Sequence, residues 1–339
     1  MPPRILHTRA RTFLPFALVL LLLAGCGGGH AGALSAAATT AETPLPTTAP
    51  ETAAFATTPT PIAGQPTTLK QKVTYQSDGL TMTAFIYKPR GAGPFPVIVW
   101  NHGSGYSILT GKVATAQDLE SSFDAVGVYF ARAGYVLIAP ERRGQGESQG
   151  PFLHDQIAQV AKAQGKPASL EFFVDQMAGP QLDDQLAGLA YIEKQPYADT
   201  SRIAVAGCSF GGIETLLAAA KGNGIKAAVA LSPGAESWDG DVPLQARLRQ
   251  AVDDATIPIL IIQPPKDASL GPSQVLGAEI AKLHKPDTVK VFPADANGSN
   301  AANDGHCFGS TDGLAAQGSV SPLAIWGSDA LAFIAAKLK

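Results

Sequence analysis

Three consecutive segments decide the fold: R-I-A-V-A at Arg202–Ala206, G-C-S-F-G at Gly207–Gly211 and G-I-E-T-L-L-A-A-A at Gly212–Ala220. The first is a short apolar run of the kind that forms a strand buried on both faces. The last is a strong helix former. Between them, Gly207 and Gly211 let the backbone pack tightly, which forces Ser209 into an exposed, strained position at a sharp turn. The helix that follows aims its positive end at negative charge developing above that serine. In a chain with 35 glycines, G-x-S-x-G alone is a weak signal, and the bland alternative is a serine that only caps a helix. The strand-turn-helix setting favours a nucleophile. A second match, Gly146-Glu147-Ser148-Gln149-Gly150, follows Arg142-Arg143-Gly144-Gln145 and runs straight into Pro151, so it reads as loop.

Outward from this unit the same rhythm repeats. Short apolar runs at Pro96–Trp100, Tyr135–Ala139, Lys226–Leu231, Pro258–Ile262 and Val289–Phe292 read as further buried strands. Helical patterns fall at Leu119–Ala133, Gln181–Gln195, Phe210–Lys221, Pro272–Leu283 and Ser328–Lys337. Val73–Tyr75 and Leu80–Tyr87 read as an antiparallel pair turning at Asp78-Gly79. The fold class is therefore α/β: one domain with a mostly parallel central sheet, helices on both faces and an N-terminal antiparallel strand pair. Ligand sites in such sheets gather at the carboxyl ends of the strands. Residues 151–180 do not fit the rhythm. They carry Phe152, Phe172, Phe173, Val174 and Met177, and read either as a lid insertion or as a surface helix with one buried face.

A serine hydroxyl attacks well only when a base takes its proton. Of six histidines, His7 and His30 lie near the N-terminus, His154 in the 151–180 segment and His284 beside Lys282 and Lys285. His102, in Asn101-His102-Gly103-Ser104-Gly105, sits where a His-Gly pair shapes a loop rather than acting as base. His306, in a glycine-rich loop after the last strand, is the expected base. The imidazole needs an acid to fix its tautomer. Asp267 lies five residues past the strand at Pro258–Ile262; Asp239 and Asp304 are rivals. The backbone N–H groups of Phe210 and Ser104 are the expected oxyanion donors. Glu214, unusual on a buried helix, is expected to pair with Arg142 or Arg143. Cys208 precedes Ser209 and Cys307 follows His306, so convergence of serine and histidine brings the two cysteines close.

At the front, Arg4, Arg9 and Arg11 precede an apolar run, Phe13–Leu23, which ends Leu23-Ala24-Gly25-Cys26. That run is short for a transmembrane helix. Residues 1–25 look like a bacterial lipoprotein signal peptide, with Cys26 as the lipidated residue; an ordinary secretory signal is the alternative. Residues 26–68 are nearly all Ala, Thr, Pro and Gly and are expected to be a disordered, semi-extended tether. The expected location is the cell envelope, at the outer membrane or periplasmic face, held by the lipid anchor. Residues 69–339 make the folded domain, about 270 residues and long enough for a large core. With 25 Lys+Arg against 28 Asp+Glu, net charge −3 and no basic run, nucleic acid is not an expected partner. No metal-binding pattern, P-loop or dinucleotide fingerprint is present, so no metal and no cofactor are expected.

The motifs N-H-G-S-G at Asn101–Gly105, E-R-R-G-Q-G-E-S at Glu141–Ser148, G-C-S-F-G-G at Gly207–Gly212, Asp267 and G-H at Gly305-His306 resemble the α/β-hydrolase superfamily, in its dienelactone-hydrolase and prolyl-oligopeptidase-like branches. The order Ser209, Asp267, His306 is that superfamily's order. True dienelactone hydrolases carry cysteine at the motif centre; here Ser209 stands there, so lactone specificity does not carry over. The Cys208-Ser209, Asp267, His306-Cys307 arrangement is also similar to tannases and feruloyl esterases, in which the neighbouring cysteines form a disulfide. That similarity implies a Cys208–Cys307 bridge, against the alternative of two free buried thiols. What the resemblance implies is a serine hydrolase acting on a small-molecule carboxylic ester through an acyl-enzyme on Ser209. A serine peptidase, or a non-catalytic binding lipoprotein on the same scaffold, are the competing readings.

Overall fold

The computed structural model describes residues 58–106, 111–283, 288–293, 305–309 and 322–339, all within the compact unit Thr52–Lys339. The expected signal peptide, Cys26, His284 and Asp304 lie outside the described residues. Among the described residues, nine strands form one sheet in the order β1-β2-β3-β5-β4-β6-β7-β8-β9. They are β1 Thr60–Ile62, β2 Gln65–Ser77, β3 Leu80–Pro89, β4 Phe95–Asn101, β5 Val136–Pro140, β6 Ala198–Cys208, β7 Ile225–Leu231, β8 Ile259–Gln263 and β9 Thr288–Val291. From β5 to β9 every neighbouring pair is parallel. The β1–β2, β2–β3 and β3–β5 pairs are antiparallel, with Ser77 opposite Leu80 across the Asp78-Gly79 turn.

The sheet begins earlier than composition suggests. β1 and the start of β2 occupy residues assigned above to the tether, and Thr68 is fully buried opposite Pro89. The ladder satisfies backbone groups that a Thr/Pro-rich sequence otherwise leaves to water, and Pro61 is tolerated because β1 is an edge strand.

Among the described residues the α-helices are, in chain order, α1 Ala116–Arg132, α2 Leu153–Gln164, α3 Lys166–Gln176, α4 Leu182–Glu193, α5 Phe210–Lys221, α6 Ala235–Trp238, α7 Val242–Asp254, α8 Gly277–Lys282, the single turn α9 His306–Gly309 and α10 Pro322–Lys337, with π-helical turns at Met177–Gln181 and Pro272–Leu276. Alternate residues of each central strand feed two cores. Val97, Val99, Ile203 and Val205 pack with Ile213, Leu216, Leu189 and Leu248 on one face. Ile98, Trp100, Ala204 and Ala206 pack with Leu119, Phe123, Phe130 and Trp326 on the other. This double burial is what the continuously apolar strand runs require.

Helix α7 lies in a stretch to which the pattern reading assigns no element. Its buried positions Leu244, Leu248, Ala251 and Val252 keep helical spacing, and Asp241 caps its first turn by accepting from the Leu244 N–H at 3.0 Å. The signal was legible but diluted by Arg247, Arg249 and Gln250 on its outer face. The 151–180 segment is helical as well. Phe173, Val174 and Met177 join the main core, so it is an integral layer with one buried face.

The chain moves from β4 to β5 on one side and then returns to lay β6 on the other side of β4. The order reverses there, which opens a crevice beyond the carboxyl ends of β4 and β6. His102 leaves the end of β4, and Ser209 the end of β6.

Candidate active site

Ser209 has φ 60° and ψ −117°, a conformation that L-residues rarely adopt. Its N–H donates to the Leu231 carbonyl at 3.0 Å, and its carbonyl accepts from Ile213 N and Gly234 N. The turn is clamped against β4. A side chain at Gly207 would meet the Asn101 carbonyl oxygen at 2.5 Å, and one at Gly211 would meet the same carbonyl. Only glycine fits both positions.

Cys208 and Cys307 form a disulfide, with Cα atoms 6.3 Å apart and a separation of 99 positions in sequence. Ser209 and His306 each lie one residue from this bridge. Their Cα atoms are therefore within about 14 Å of each other at most, given about 3.8 Å per residue step. The bridge also fixes α9, where Cys307 and Phe308 both hold positive φ.

His306 Nδ1 lies 2.6 Å from Asp267 Oδ1. The Asp267 carboxylate is fully buried, and its second oxygen accepts from Gln263 Nε2 at 2.8 Å. Burial alone would raise its pKa. The hydrogen bond and charge of His306, with bonds from Ser232 and Gln263, outweigh that and hold the carboxyl below its ordinary value. His306 Nε2 is buried and has no hydrogen-bond partner among the described residues, Ser209 included. Its nearest carboxylate oxygen is Glu236 Oε2 at 3.8 Å.

Of the rivals, Asp239 spends Oδ1 on the Ser269 hydroxyl at 3.0 Å. His102 is buried, with Nε2 accepting from the Arg142 N–H at 3.2 Å; burial and then the Arg142 charge push its pKa well below normal. His154 is lowered to about 4, again by burial first and Arg142 second. Both stay neutral. Ser148 bonds the Glu141 carbonyl and the Thr83 N–H, so the second G-x-S-x-G is a structural loop.

Several contributing residues carry no motif. Ser232, at φ 46°, is fully buried; its hydroxyl helps lower the Asp267 carboxyl and accepts from the Cys307 N–H at 3.4 Å. Gln263 and Glu236 likewise owe their places to strand ends brought together by folding. Arg142, not Arg143, pairs with Glu214, at 3.2 Å; Arg143 instead grips Asp184 through Nε and Nη2, both at 2.8 Å. Tyr106 stacks on His154 with ring centroids 4.5 Å apart, and His154 in turn stacks on Phe210. A chamber of about 290 Å³ lies against Phe210, bounded by His154 and Phe173 on one side and Glu236, Asp239 and Asp241 on the other. The 151–180 segment thus walls this chamber while being anchored in the core. Among the described residues, no group of His, Cys, Asp and Glu has the arrangement of a metal site.

Residues 78–256 match the profile of the X-Pro dipeptidyl-peptidase (S15 family), which is more than half of the chain. The chain belongs to that family. Its fold is similar to a putative dienelactone hydrolase from Klebsiella pneumoniae, at 19% identity over 79% of this chain and 98% of that one, with TM-score 0.54. It is similar also to a dienelactone hydrolase-like promiscuous phosphotriesterase from metagenomic libraries, at 15% identity over 80% of this chain and 100% of that one, TM-score 0.53. A third likeness is to the acylaminoacyl peptidase of Pyrococcus horikoshii, at 18% identity and TM-score 0.52, covering 79% of this chain. This chain spans only 41% of that peptidase's length. These likenesses show an α/β-hydrolase fold, in keeping with the family match.

Two expectations follow. Reduction of Cys208–Cys307 should lower turnover well before it lowers helix content, because the bridge positions α9 whereas the helices rest on the two cores. Parallel activity and far-ultraviolet circular dichroism across a thiol titration measure this, and coincident losses would refute it. The second concerns Glu141, whose buried carboxyl is raised from 4.5 to about 7, with the Glu147 N–H offsetting only part of the burial cost. Its contribution to stability is complete below pH 4.5 and is lost as pH rises through about 7. The buried neutral histidines pull the opposite way between about pH 4 and their ordinary range, so the difference between proteins is the readout. Glu141→Gln should gain urea stability relative to wild type between pH 5 and 7.5; a constant difference would contradict it.

Proposed function

We propose that this protein is a serine hydrolase that cleaves a carboxylic ester through an acyl-enzyme on Ser209, with His306 as base and Asp267 as the orienting acid. The observation that carries this reading is the 2.6 Å Asp267–His306 contact, held beside the Ser209 turn by the Cys208–Cys307 bridge. With Nδ1–H donated to Asp267, the Nε2 lone pair is left to accept the serine proton. The serine oxygen then attacks the ester carbonyl. The tetrahedral oxyanion accepts from the N–H of Phe210, the first residue of α5 and so without an intrahelical acceptor, and from that of Ser104. The imidazolium returns its proton to the leaving alcohol. A water then follows the same path, and Ser209 is regenerated as the acid leaves.

A peptidase reading is supported by the family and by Glu236, Asp239 and Asp241 on one wall of the chamber, where a substrate ammonium would be welcome. The ester reading is preferred because two of these carboxylates are already committed, Asp239 to Ser269 and Asp241 to the cap of α7. In the cell, we propose, residues 1–25 are removed and Cys26 carries a lipid that anchors the domain at the envelope.

Wild type should react with a fluorophosphonate probe and hydrolyse p-nitrophenyl esters faster than aminoacyl p-nitroanilides, and Ser209→Ala should do neither. Asp267→Asn should keep the fold and lose about 10⁴-fold in kcat. Unlabelled wild type would point to a binding protein, and faster anilide cleavage to a peptidase. For the anchor, Cys26→Ala should move the protein from the detergent phase to the aqueous phase on Triton X-114 partition; an unchanged partition refutes lipidation.

A further inference from the structure

We propose that Gln145 is a positioning residue for the oxyanion site, acting with Arg142 to lock the peptide planes on either side of Ser104. The inference rests on the acyl-transfer reading above and adds residues to it. Four successive carbonyls of the loop after β4 each accept from a named donor. His102 O accepts from Arg142 Nη1 at 2.6 Å and Gly103 O from Arg142 Nη2. Ser104 O accepts from Gln145 Nε2, and Gly105 O from the Ala114 N–H at 2.7 Å.

A peptide unit is planar and trans, so its carbonyl and the next residue's N–H point in opposite directions. Fixing the Gly103 carbonyl therefore aims the Ser104 N–H, and fixing the Ser104 carbonyl aims the Gly105 N–H. Arg142 and Gln145 clamp Ser104 from both sides. The second clamp is needed because the Ser104–Gly105 peptide is the easy one to flip: Gly105 sits at φ +63° and has no Cβ to resist the reverse orientation. A flipped Ser104–Gly105 peptide would turn the Ser104 carbonyl to where the Gly105 N–H now points, adding a lone pair beside the loop that offers the Ser104 N–H.

Both clamps are built into the interior. Arg142 is 5% and Gln145 7% exposed, and both belong to the Glu141–Ser148 loop that follows β5. A side chain at Gly105 would meet Gln145 Nε2 at 2.6 Å, so glycine is required there to let the amide reach the carbonyl. Gln145 Oε1 is buried with no partner. The amide's donor is satisfied at the expense of its acceptor, as expected of a group held in place to donate.

Gln145→Met keeps length and removes the donor, while Gln145→Glu keeps shape and, at pH 8, sets a carboxylate against the Ser104 carbonyl. On a p-nitrophenyl ester we expect kcat to fall on the order of tenfold for Met and 10²-fold or more for Glu, with KM within about threefold of wild type. Affinity for an aryl boronic acid, which forms a tetrahedral adduct on serine, should fall in the same order, and melting temperature should not follow it. Wild-type kcat in Gln145→Glu, or losses confined to KM or tracking melting temperature in both variants, would overturn the inference while leaving an active, probe-labelled wild type intact. A wild type that neither turns over esters nor takes the probe would instead sink the reading of Ser209, and this inference with it.

Discussion

The close approach of two strand ends governs this molecule. β4 and β6 run side by side until Asn101 stands opposite Gly207, and the Asn101 carbonyl leaves no room for a Cβ at Gly207 or Gly211. The chain can turn from β6 into α5 within this space only by carrying Ser209 through a left-handed conformation. That strain is sustained because both ends of the turn are over-determined: a buried strand on one side, and on the other a helix whose first turns are entirely buried.

Around this turn, polar groups are organised by burial rather than by proximity in sequence. Arg142 offers its guanidinium to the His102 and Gly103 carbonyls and to Glu214, a carboxyl that burial pushes up to about 7 even against the pull of Arg142. Removing either partner would leave a charge stranded in a dry interior. On the opposite side the Asp267 carboxylate is enclosed, bonded to Gln263 and His306 and held low with help from Ser232. The first network holds the loop after β4 and the second holds the His306 imidazole. The disulfide links the second network to the turn itself, since Ser232 lies close to both Asp267 and the Cys307 N–H.

Strand-turn-helix, the alternation of buried strands and helices, and the placing of Asp267 and His306 after strand ends were legible from the chain, because each is written in local pattern: apolar runs, glycine spacing, and polar residues at predicted strand ends. The cysteine flanks were informative for a different reason. Two residues tied to the same two chemical groups must meet if those groups meet.

Ser232, Gln263, Glu236 and Gln145 could not be read in this way. A serine after an apolar strand or a glutamine in a glycine-rich loop has no distinguishing local pattern, and its role depends on which carbonyl or carboxylate the fold brings within 3 Å. The choice of Arg142 over Arg143 for Glu214 is likewise tertiary, because adjacent side chains on an extended loop face opposite ways. The boundary of the first strands was hidden too, since Thr/Pro-rich residues become strand only when β3 offers them a ladder. Local sequence thus determined which elements form and which chemical groups stand at their ends. Packing across the sheet decided which of those groups meet, because burial, unlike periodicity, is a property of the assembled chain.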